Sequence, residues 1–258
     1  MARTVRVIGL EGFPLVNVGD NLAELIVLVA RHEQVALEDG DVIVVAHKIV
    51  SKAEGRTVKL KDVKPSTKAK ELARVTGRDP KLVELVLKES RRVVKATPEI
   101  IVVENRLGFV CINAGVDKSN VEGNNGYALL PLDPDRSARE IRSQIRKLTG
   151  TKLAVIICDT YSRPFRRGQV EFAIGVAGVS PFRDYRGQKD LFDYVLKVKN
   201  SAIGDEIASA AELLMGQGKE AIPVVIVKGL KEVKMTEDTS ANEILISKQE
   251  DLFKGTLT

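Results

Sequence analysis

Segments rich in β-branched residues alternate with amphipathic segments along the chain of 258 residues, and this alternation constrains the fold more than any other feature. Continuous or alternating apolar runs predict strands, and apolar residues recurring every three or four positions predict helices between several of them. The predicted strands are residues 4–10, 42–46, 92–96, 100–104, 107–112, 153–158, 172–177 and 224–227.

The three strands predicted between residues 92 and 112 follow one another with short polar turns. Such connections suit antiparallel pairing, because parallel neighbours need a long crossover. We therefore expect an α+β fold with mixed, largely antiparallel sheets and flanking helices, rather than a doubly wound parallel sheet. No linker rich in Pro or Ser is visible, so residues 1–258 are predicted to form a single unit, in which any two subdomains interlock.

Four of the predicted helices have a start or a stop signal. Asn, Asp and Ser side chains cap the first turn of a helix, and Gly often follows the last. The signals are Asn21 as an N-cap, Asp79 and Pro80 at the start of a helix ending near Ser90, Ser137 to Glu140 as a capping box opening a helix that Gly150 stops, and Gly216 after a helix over 205–215.

Composition excludes several classes of protein. The net charge of +5 is a thin excess for 40 basic and 35 acidic residues, and aromatic residues make up only 4%, which disfavours a nucleic-acid-binding module. No run reaches the ~18 apolar residues of a membrane span, and the N-terminus lacks a signal peptide, so we expect a cytoplasmic protein. Cys111 and Cys158 are predicted to be buried thiols, and His32 to lie at the surface near a helix end.

The loop over residues 113–126 is rich in Asn, Asp, Ser and Gly. Glycine lets the backbone approach a ligand closely, and Asp117 with its polar neighbours supplies oxygen donors suited to Mg²⁺ or Mn²⁺. The same composition is typical of a solvated Ω-loop, and this stretch alone does not decide between the two.

The apolar run over residues 153–158 predicts a strand buried on both faces, and it ends in Asp159 and Thr160. A carboxylate at the end of a buried strand commonly holds a metal beside a nucleotide phosphate. The alternative is that Asp159 only caps the turn that follows.

Arg163, Arg166 and Arg167 follow this strand, with Pro164 and Gly168 between and after them. Guanidinium groups held in this way favour a clamp for phosphate or carboxylate over a merely solvated charged face.

Residues 47–56 follow the strand over 42–46 and are interpreted as a phosphate-holding loop, with Lys48, Lys52 and Ser51 as its ligands. No P-loop, dinucleotide fingerprint, serine nucleophile elbow or zinc spacing occurs in the chain. Oxygen ligands together with Lys and Arg loops therefore predict metal-assisted phosphoryl transfer without a P-loop.

Several motifs in sequence order resemble the coenzyme F420 γ-glutamyl ligase family. They are SKAEGR at 51–56, NAGVDKSN at 113–120, DTYSRPFRRGQ at 159–169, DYRG at 184–187 and ELLMGQG at 212–218, within a similarity from about residue 5 to 230. Ser162 stands where the family often has Gly, and Phe165 where Trp is frequent, which puts only local loop packing in doubt.

The resemblance implies a mixed α/β homodimer that uses GTP, L-glutamate and coenzyme F420-0, with Mn²⁺ or Mg²⁺, in two sites, and K⁺. It implies the addition of one glutamate and then of a second, γ-linked one, and the chain has no room for a fused reductase domain. The metal positions that it implies are Asp117, Asp159, Thr160 and Gln217. The nucleotide positions that it implies are Phe13, Pro14, Leu15, Val16, His47, Lys48, Lys52, Asn120, Met215, Gly216, Gln217, Gly218, Lys219, Glu220, Ala221 and Ile222.

The residues fit this chemistry. A carboxylate is a poor electrophile at neutral pH, so amide formation needs an acyl phosphate, which requires charge neutralisation on the transferring oxygens. Asp117, Asp159 and Arg166 are the candidate catalytic residues, with the Arg163, Arg166 and Arg167 clamp inferred from the residues rather than from the resemblance. The alternative function is a metal-dependent phosphohydrolase or kinase acting on a small phosphorylated acid.

Overall fold

The computed structural model describes residues 2–121, 126–247 and 249–251. The strands within these ranges are β1 Arg6–Gly9, β2 Val42–Ala46, β3 Thr57–Lys59, β4 Ser90–Thr97, β5 Ile100–Asn105, β6 Val110–Ile112, β7 Gly126–Ala128, β8 Ala154–Ser162, β9 Gln169–Ala177, β10 Arg183–Asp184, β11 Asn200–Ser201 and β12 Val224–Lys228. The α-helices are α1 Leu22–His32, α2 His47–Ala53, α3 Thr67–Thr76, α4 Pro80–Lys88, α5 Pro134–Thr149 and α6 Ile203–Met215.

A five-stranded sheet in the order β1-β12-β2-β8-β9 forms the centre of the fold. Only β2 and β8 pair in parallel, and the other neighbours are antiparallel. Strands β2, β8 and β12 are almost continuously apolar because both faces of the sheet are covered. One face packs on α1 and α5, and the opposite face packs on α6.

A smaller antiparallel sheet, in the order β4-β5-β6, has an apolar cluster of its own with α3 and α4. Ile101 and Val103 of β5 are fully buried there, against residues such as Val83 and Val86 of α4. The predicted antiparallel pairing between residues 92 and 112 is confirmed, and so is the α+β class. The division into two interlocked subdomains stays a prediction.

The predicted helix at residues 137–148 begins earlier than expected. Asp133 is the N-cap of α5 and Pro134 is its first residue. The helix therefore starts at this N-cap and proline, and not at the capping box predicted at Ser137. Ser137 lies one turn inside, where its hydroxyl donates to the carbonyl of Asp133 and to Glu54. The other end signals are confirmed: Asn21 and Asp79 cap their helices, and Gly150 and Gly216 follow theirs.

Two connections differ from the sequence prediction. The segment after β2 is the helix α2 rather than a phosphate-holding loop, because Ile49 and Val50 pack into the core at helical spacing. Strand β8 does not end at Cys158 but continues through Asp159 to Ser162, because β9 pairs with it over this whole length.

The predictions for the two cysteines and for His32 are confirmed. Cys111 and Cys158 are free and buried, and burial raises the pKa of the Cys111 thiol to about 12. His32 lies exposed in the last turn of α1. None of the helices within the described ranges is long and apolar enough to cross a membrane.

Candidate functional site

A cleft lies where the parallel strands β2 and β8 reach their carboxyl ends, which is the common ligand position in sheets of this kind. The cavity has a volume of about 230 Å³. Its walls include α2, the residues after α6 and the segment before α1. All the nucleotide positions implied by the resemblance line it, except Glu220, and so do Asp159 and Thr160.

Helix α2 supplies the basic wall. His47 is buried, with Nδ1 3.3 Å from Ser51 Oγ and Nε2 3.1 Å from Asp159 Oδ1. Because His47 directly follows β2, it brings the start of α2 into contact with Asp159 of β8. Lys48 and Lys52 also line the cavity, so the lysines that were predicted on a loop are presented by a helix.

Lys48 connects α2 to the Asp117 loop. Its Nζ donates to Asp117 Oδ2 at 2.7 Å and to Ser119 Oγ at 2.5 Å. Asp117 also accepts hydrogen bonds from the backbone N–H and the hydroxyl of Ser119. Burial acts to raise the pKa of Asp117, but the donors Lys48 and Ser119 outweigh it, so this pKa lies below its usual value.

The backbone before Asp117 has an unusual conformation. Asn113, Ala114 and Gly115 have φ values of 55°, 58° and 73°, in the left-handed region that non-glycine residues rarely adopt. Asp117 then pairs with Ala128 of β7 through two backbone hydrogen bonds. This turn directs the Asp117 side chain back toward α2. The predicted ligand loop extends to residue 126, and its positions 122–125, with Gly123 among them, lie outside the described residues.

Strands β8 and β9 supply the acidic wall. Thr160 Oγ1 donates to Glu171 Oε1 at 2.6 Å, because β9 places Glu171 directly opposite Thr160. Gln217 Nε2 lies 3.0 Å from Thr160 Oγ1 and donates to Glu212 Oε1 at 2.8 Å. Burial raises the pKa of Glu171, whose hydrogen bond from Thr160 opposes the rise only in part.

Glu171 is the cleft residue that the sequence motifs missed. It lies on β9, which was predicted to begin only at residue 172, and nothing in its immediate neighbours marks it. The signal that finds it is the pairing of β9 with β8 beyond Cys158, since that register places residue 171 beside the predicted ligand Thr160.

The segment after α6, which contains Gln217, forms a further wall of the cleft. Asn120 Nδ2 donates to the carbonyl oxygen of Gly218 at 3.3 Å, which joins this segment to the Asp117 loop. Glu220 accepts a hydrogen bond from the backbone N–H of Gly218 and does not line the cavity.

The arginines lie in the turn between β8 and β9, outside the cavity lining. Arg163 Nη2 donates to the carbonyl of Arg167 at 3.3 Å, and Phe165 adopts a φ of 59° with its ring exposed. Arg166 and Arg167 are exposed. The structure therefore does not bring Arg166 together with Asp159 and Asp117, and the predicted clamp stays a prediction.

The oxygen atoms around the cleft fit a hard cation whose remaining ligands are phosphate oxygens of a substrate. Within the described ranges, no group of three His, Cys, Asp or Glu side chains is placed to hold a metal. Asp117, Asp159, Thr160 and Gln217 offer carboxylate, hydroxyl and amide oxygens from three sides. Mg²⁺ is commonly held by one or two carboxylates together with substrate phosphates, and this set is of that kind.

The fold and the cleft together define an α+β protein with carboxylates and lysines facing one another across a ligand cavity. The family model described as F420-0:Gamma-glutamyl ligase matches residues 12–229. The coenzyme F420:L-glutamate ligase of Methanopyrus kandleri is 48% identical over 95% of this chain and 97% of its own length. Those of Archaeoglobus fulgidus and Methanothermobacter thermautotrophicus are 46% and 45% identical over 98% and 97% of this chain, and over 98% and 99% of their own lengths.

The chain therefore belongs to the F420-0:gamma-glutamyl ligase family. It is an enzyme of the carbon–nitrogen ligase class. The family resemblance predicted from the sequence motifs is confirmed.

Proposed function

We propose that the protein uses GTP to join L-glutamate to coenzyme F420-0, and then adds a second glutamate through the γ-carboxyl of the first, in the biosynthesis of coenzyme F420. The names of its relatives support the acceptor and the amino acid. The observation that carries the proposal is the cleft itself, in which Lys48 and Lys52 of α2 face Asp159 and Thr160 of β8 across one cavity.

The reaction begins with activation of a carboxylate. Transfer of the γ-phosphoryl group of GTP to the terminal carboxylate of F420-0 gives an acyl phosphate and GDP. The amine of glutamate then attacks the acyl carbon, the carbon–oxygen bond to phosphate breaks, and the amide forms with release of phosphate and a proton. Phosphoryl transfer depends on positioning and on neutralisation of charge, so basic and acidic walls must act together.

Lys48 and Lys52 bind the phosphates of GTP. Lys48 can exchange the Asp117 carboxylate for a phosphate oxygen, since both are anionic acceptors at the same ammonium group. The residues lining the rest of the cavity, from Phe13 to Val16 and from Met215 to Ile222 without Glu220, surround the nucleoside.

Asp117, Asp159, Thr160 and Gln217 hold two divalent cations, Mn²⁺ or Mg²⁺, with K⁺ as a further activator. Bound there, the cations neutralise charge on the phosphate oxygens. His47 fixes the orientation of the Asp159 carboxylate through its Nε2, 3.1 Å from Oδ1. Arg163, Arg166 and Arg167 bind the phosphodiester or the carboxylates of the acidic substrate at the mouth of the site.

The protein acts as a homodimer in the cytoplasm. The two-stranded ribbon of β10 and β11, with the residues between them, exposes Leu191, Phe192 and Val198 almost completely. Exposed apolar side chains grouped in this way are typical of a protein interface, and a second copy of this chain is the proposed partner. Light scattering of the purified protein measures the mass directly, and a monomer would contradict this part of the proposal.

Mass spectrometry of the acceptor tests the proposed function. Coenzyme F420-0 incubated with the protein, GTP, Mn²⁺ and L-glutamate is expected to gain one and then two glutamyl residues, with one GDP formed for each. Omission of glutamate is expected to abolish both products. GDP formation that needs no amine would indicate a phosphohydrolase or kinase acting on a phosphorylated acid, and would contradict the ligase assignment.

A further inference from the structure

Glu171 occupies a position in the cleft that neither packing nor the sequence motifs explain. Its side chain lines the cavity although the residue is only 7% exposed. Oε1 accepts the hydroxyl proton of Thr160 at 2.6 Å and lies 3.4 Å from Gln217 Nε2. Among the described residues, no N–H or O–H group donates to the buried Oε2, and the thiol of Cys158 is a further hydrogen-bonding neighbour of this carboxylate. Leaving a carboxyl oxygen buried without an N–H or O–H partner costs stability, so the acid is not explained by its contribution to folding.

The hydrogen bonds of Glu171 determine which atoms of its neighbours remain available. A threonine hydroxyl has one proton and two lone pairs, so a proton committed to Glu171 leaves the lone pairs of Thr160 to face other groups. The amide of Gln217 is constrained in the same way, because its Nε2 donates to Glu212 and lies against Glu171 and Thr160. Its carbonyl oxygen lies 3.3 Å from Thr160 Oγ1, whose proton is committed to Glu171, and is then the atom left for a ligand.

We propose that Glu171 is a positioning residue for the cation held by Thr160 and Gln217. By accepting the hydroxyl hydrogen of Thr160 and, together with Glu212, the amide hydrogens of Gln217, it presents two neutral oxygens to the cation. The inference rests on the proposed function, which makes Thr160 and Gln217 cation ligands. Groups that orient metal ligands in this way typically change metal affinity by about 10- to 100-fold when they are removed.

Titration with MnCl₂, in which electron paramagnetic resonance measures free Mn²⁺, tests the inference without relying on turnover. The titrations use the full chain, without nucleotide and with a non-hydrolysable GTP analogue. Glu171→Gln keeps the side-chain volume and removes the carboxylate, and it is expected to weaken one Mn²⁺ site by about 10- to 100-fold. The matched control is Glu206→Gln, the same change at an exposed position of α6 outside the cavity, with an affinity equal to wild type.

A double-mutant cycle identifies the route of the effect. Because Glu171 acts through Thr160 and Gln217, the loss of Mn²⁺ affinity caused by Glu171→Gln should be smaller in a Thr160→Val background than in the wild-type protein. Additive losses would show that Glu171 acts independently and would overturn the inference. If Glu171→Gln lowers the melting temperature strongly, Glu171→Asp replaces it, with an intermediate loss of affinity expected.

Mn²⁺ binding by the two single variants distinguishes a failure of the positioning role of Glu171 from a failure of the proposed cation site. Weaker Mn²⁺ binding in Thr160→Val, with wild-type binding in Glu171→Gln, overturns the positioning role and leaves the cation site in place. Wild-type binding in Thr160→Val overturns the cation site itself, and with it the role of Glu171.

Discussion

Asp117, beside the cleft, lies 2.7 Å from Lys48 Nζ and accepts two further hydrogen bonds from Ser119. At the β8–β9 end of the cleft, Glu171 is more deeply buried, and no Lys or Arg within the described ranges makes an ion pair with it or with Asp159. The pKa of Asp117 lies below its usual value because donors outweigh burial, whereas burial raises the pKa of Glu171. Glu171 lines the cavity, whereas Asp117 contacts it through Lys48, and the two acids are held in opposite electrostatic settings.

This difference assigns different tasks to the two ends. The Asp117 end already contains a balanced pair, whose lysine can exchange one anion for another. The β8–β9 end has acids and neutral oxygens whose basic neighbour is His47 rather than a lysine or arginine, and it therefore suits a cation better than an anion. We therefore propose that Lys48 forms the phosphate-binding end of the cleft, that Asp159, Thr160 and Gln217 form its cation-binding end, and that Asp117 lies between them.

Asp159→Asn is the change expected to disrupt the cation-binding end most. It removes a ligand charge and little volume, so we expect GDP release that depends on GTP and glutamate to fall by about 100-fold or more, with the melting temperature unchanged. Steady-state kinetics measure the loss, with Glu206→Gln as the control that keeps wild-type rates. Near-normal ligation by Asp159→Asn would contradict the role of this acid.

Lys48→Met tests the phosphate-binding end. The variant keeps an unbranched side chain and loses the ammonium group, so the KM for GTP should rise by about tenfold or more. The KM for glutamate should change much less. An equal rise for both substrates would indicate that Lys48 supports the architecture of the cleft rather than the nucleotide.

Arg166→Ala tests whether the turn between β8 and β9 extends the site toward the acidic substrate. Loss of the guanidinium is expected to raise the KM for F420-0 by about fivefold, with little change for GTP. Arg139→Ala, at an exposed position of α5, is the matched control. A rise confined to the KM for GTP would place the clamp at the nucleotide instead.

At Asp117, hydrogen-bond donors lower the pKa more than burial raises it. Glu84 of α4, outside the cleft, offers a second test of this balance. The hydroxyl and then the backbone N–H of Ser66 lower the pKa of this buried carboxyl. A folded-state pKa below the unfolded value stabilises the protein above the unfolded pKa, about 4.5, and the contribution is lost as the pH falls through the lowered value.

Ser66→Ala should therefore destabilise the protein by about 1–2 kcal/mol at pH 7, by loss of these bonds and of the α3 cap. The deficit relative to wild type should shrink toward pH 3 in urea unfolding curves. A deficit that does not depend on pH would mean that the cap alone accounts for it.

Strong sequence patterns predicted the centre of the fold and part of the cleft, whereas the lining residues at 13–16 and 215–222 came from the family resemblance. The apolar runs of β2, β8 and β12 have no stable alternative to a buried sheet, so Asp159 and Lys48, which lie at or just after the ends of such runs, were found from the sequence.

Features that depend on tertiary pairing were not predictable in the same way. Helix α2 is short and rich in β-branched residues, and only its packing makes it a helix. Glu171 becomes part of the site through the register of β9 on β8, which no local pattern encodes. The sequence pattern around Arg163, Arg166 and Arg167 strongly indicated a binding site. The turn that holds these arginines lies outside the cavity lining, because β8 and β9 extend beyond the cavity.

The proposed function depends on the activation of a carboxylate by phosphorylation before the amide forms. Coenzyme F420-0 labelled with oxygen-18 in its terminal carboxylate, incubated with the protein, GTP, Mn²⁺ and L-glutamate, tests this most directly by mass spectrometry of the released phosphate. The acyl-phosphate route predicts one labelled oxygen in the phosphate that is released when the first glutamate is added. Phosphate that carries no label from F420-0, and instead takes up oxygen from labelled water, would contradict it.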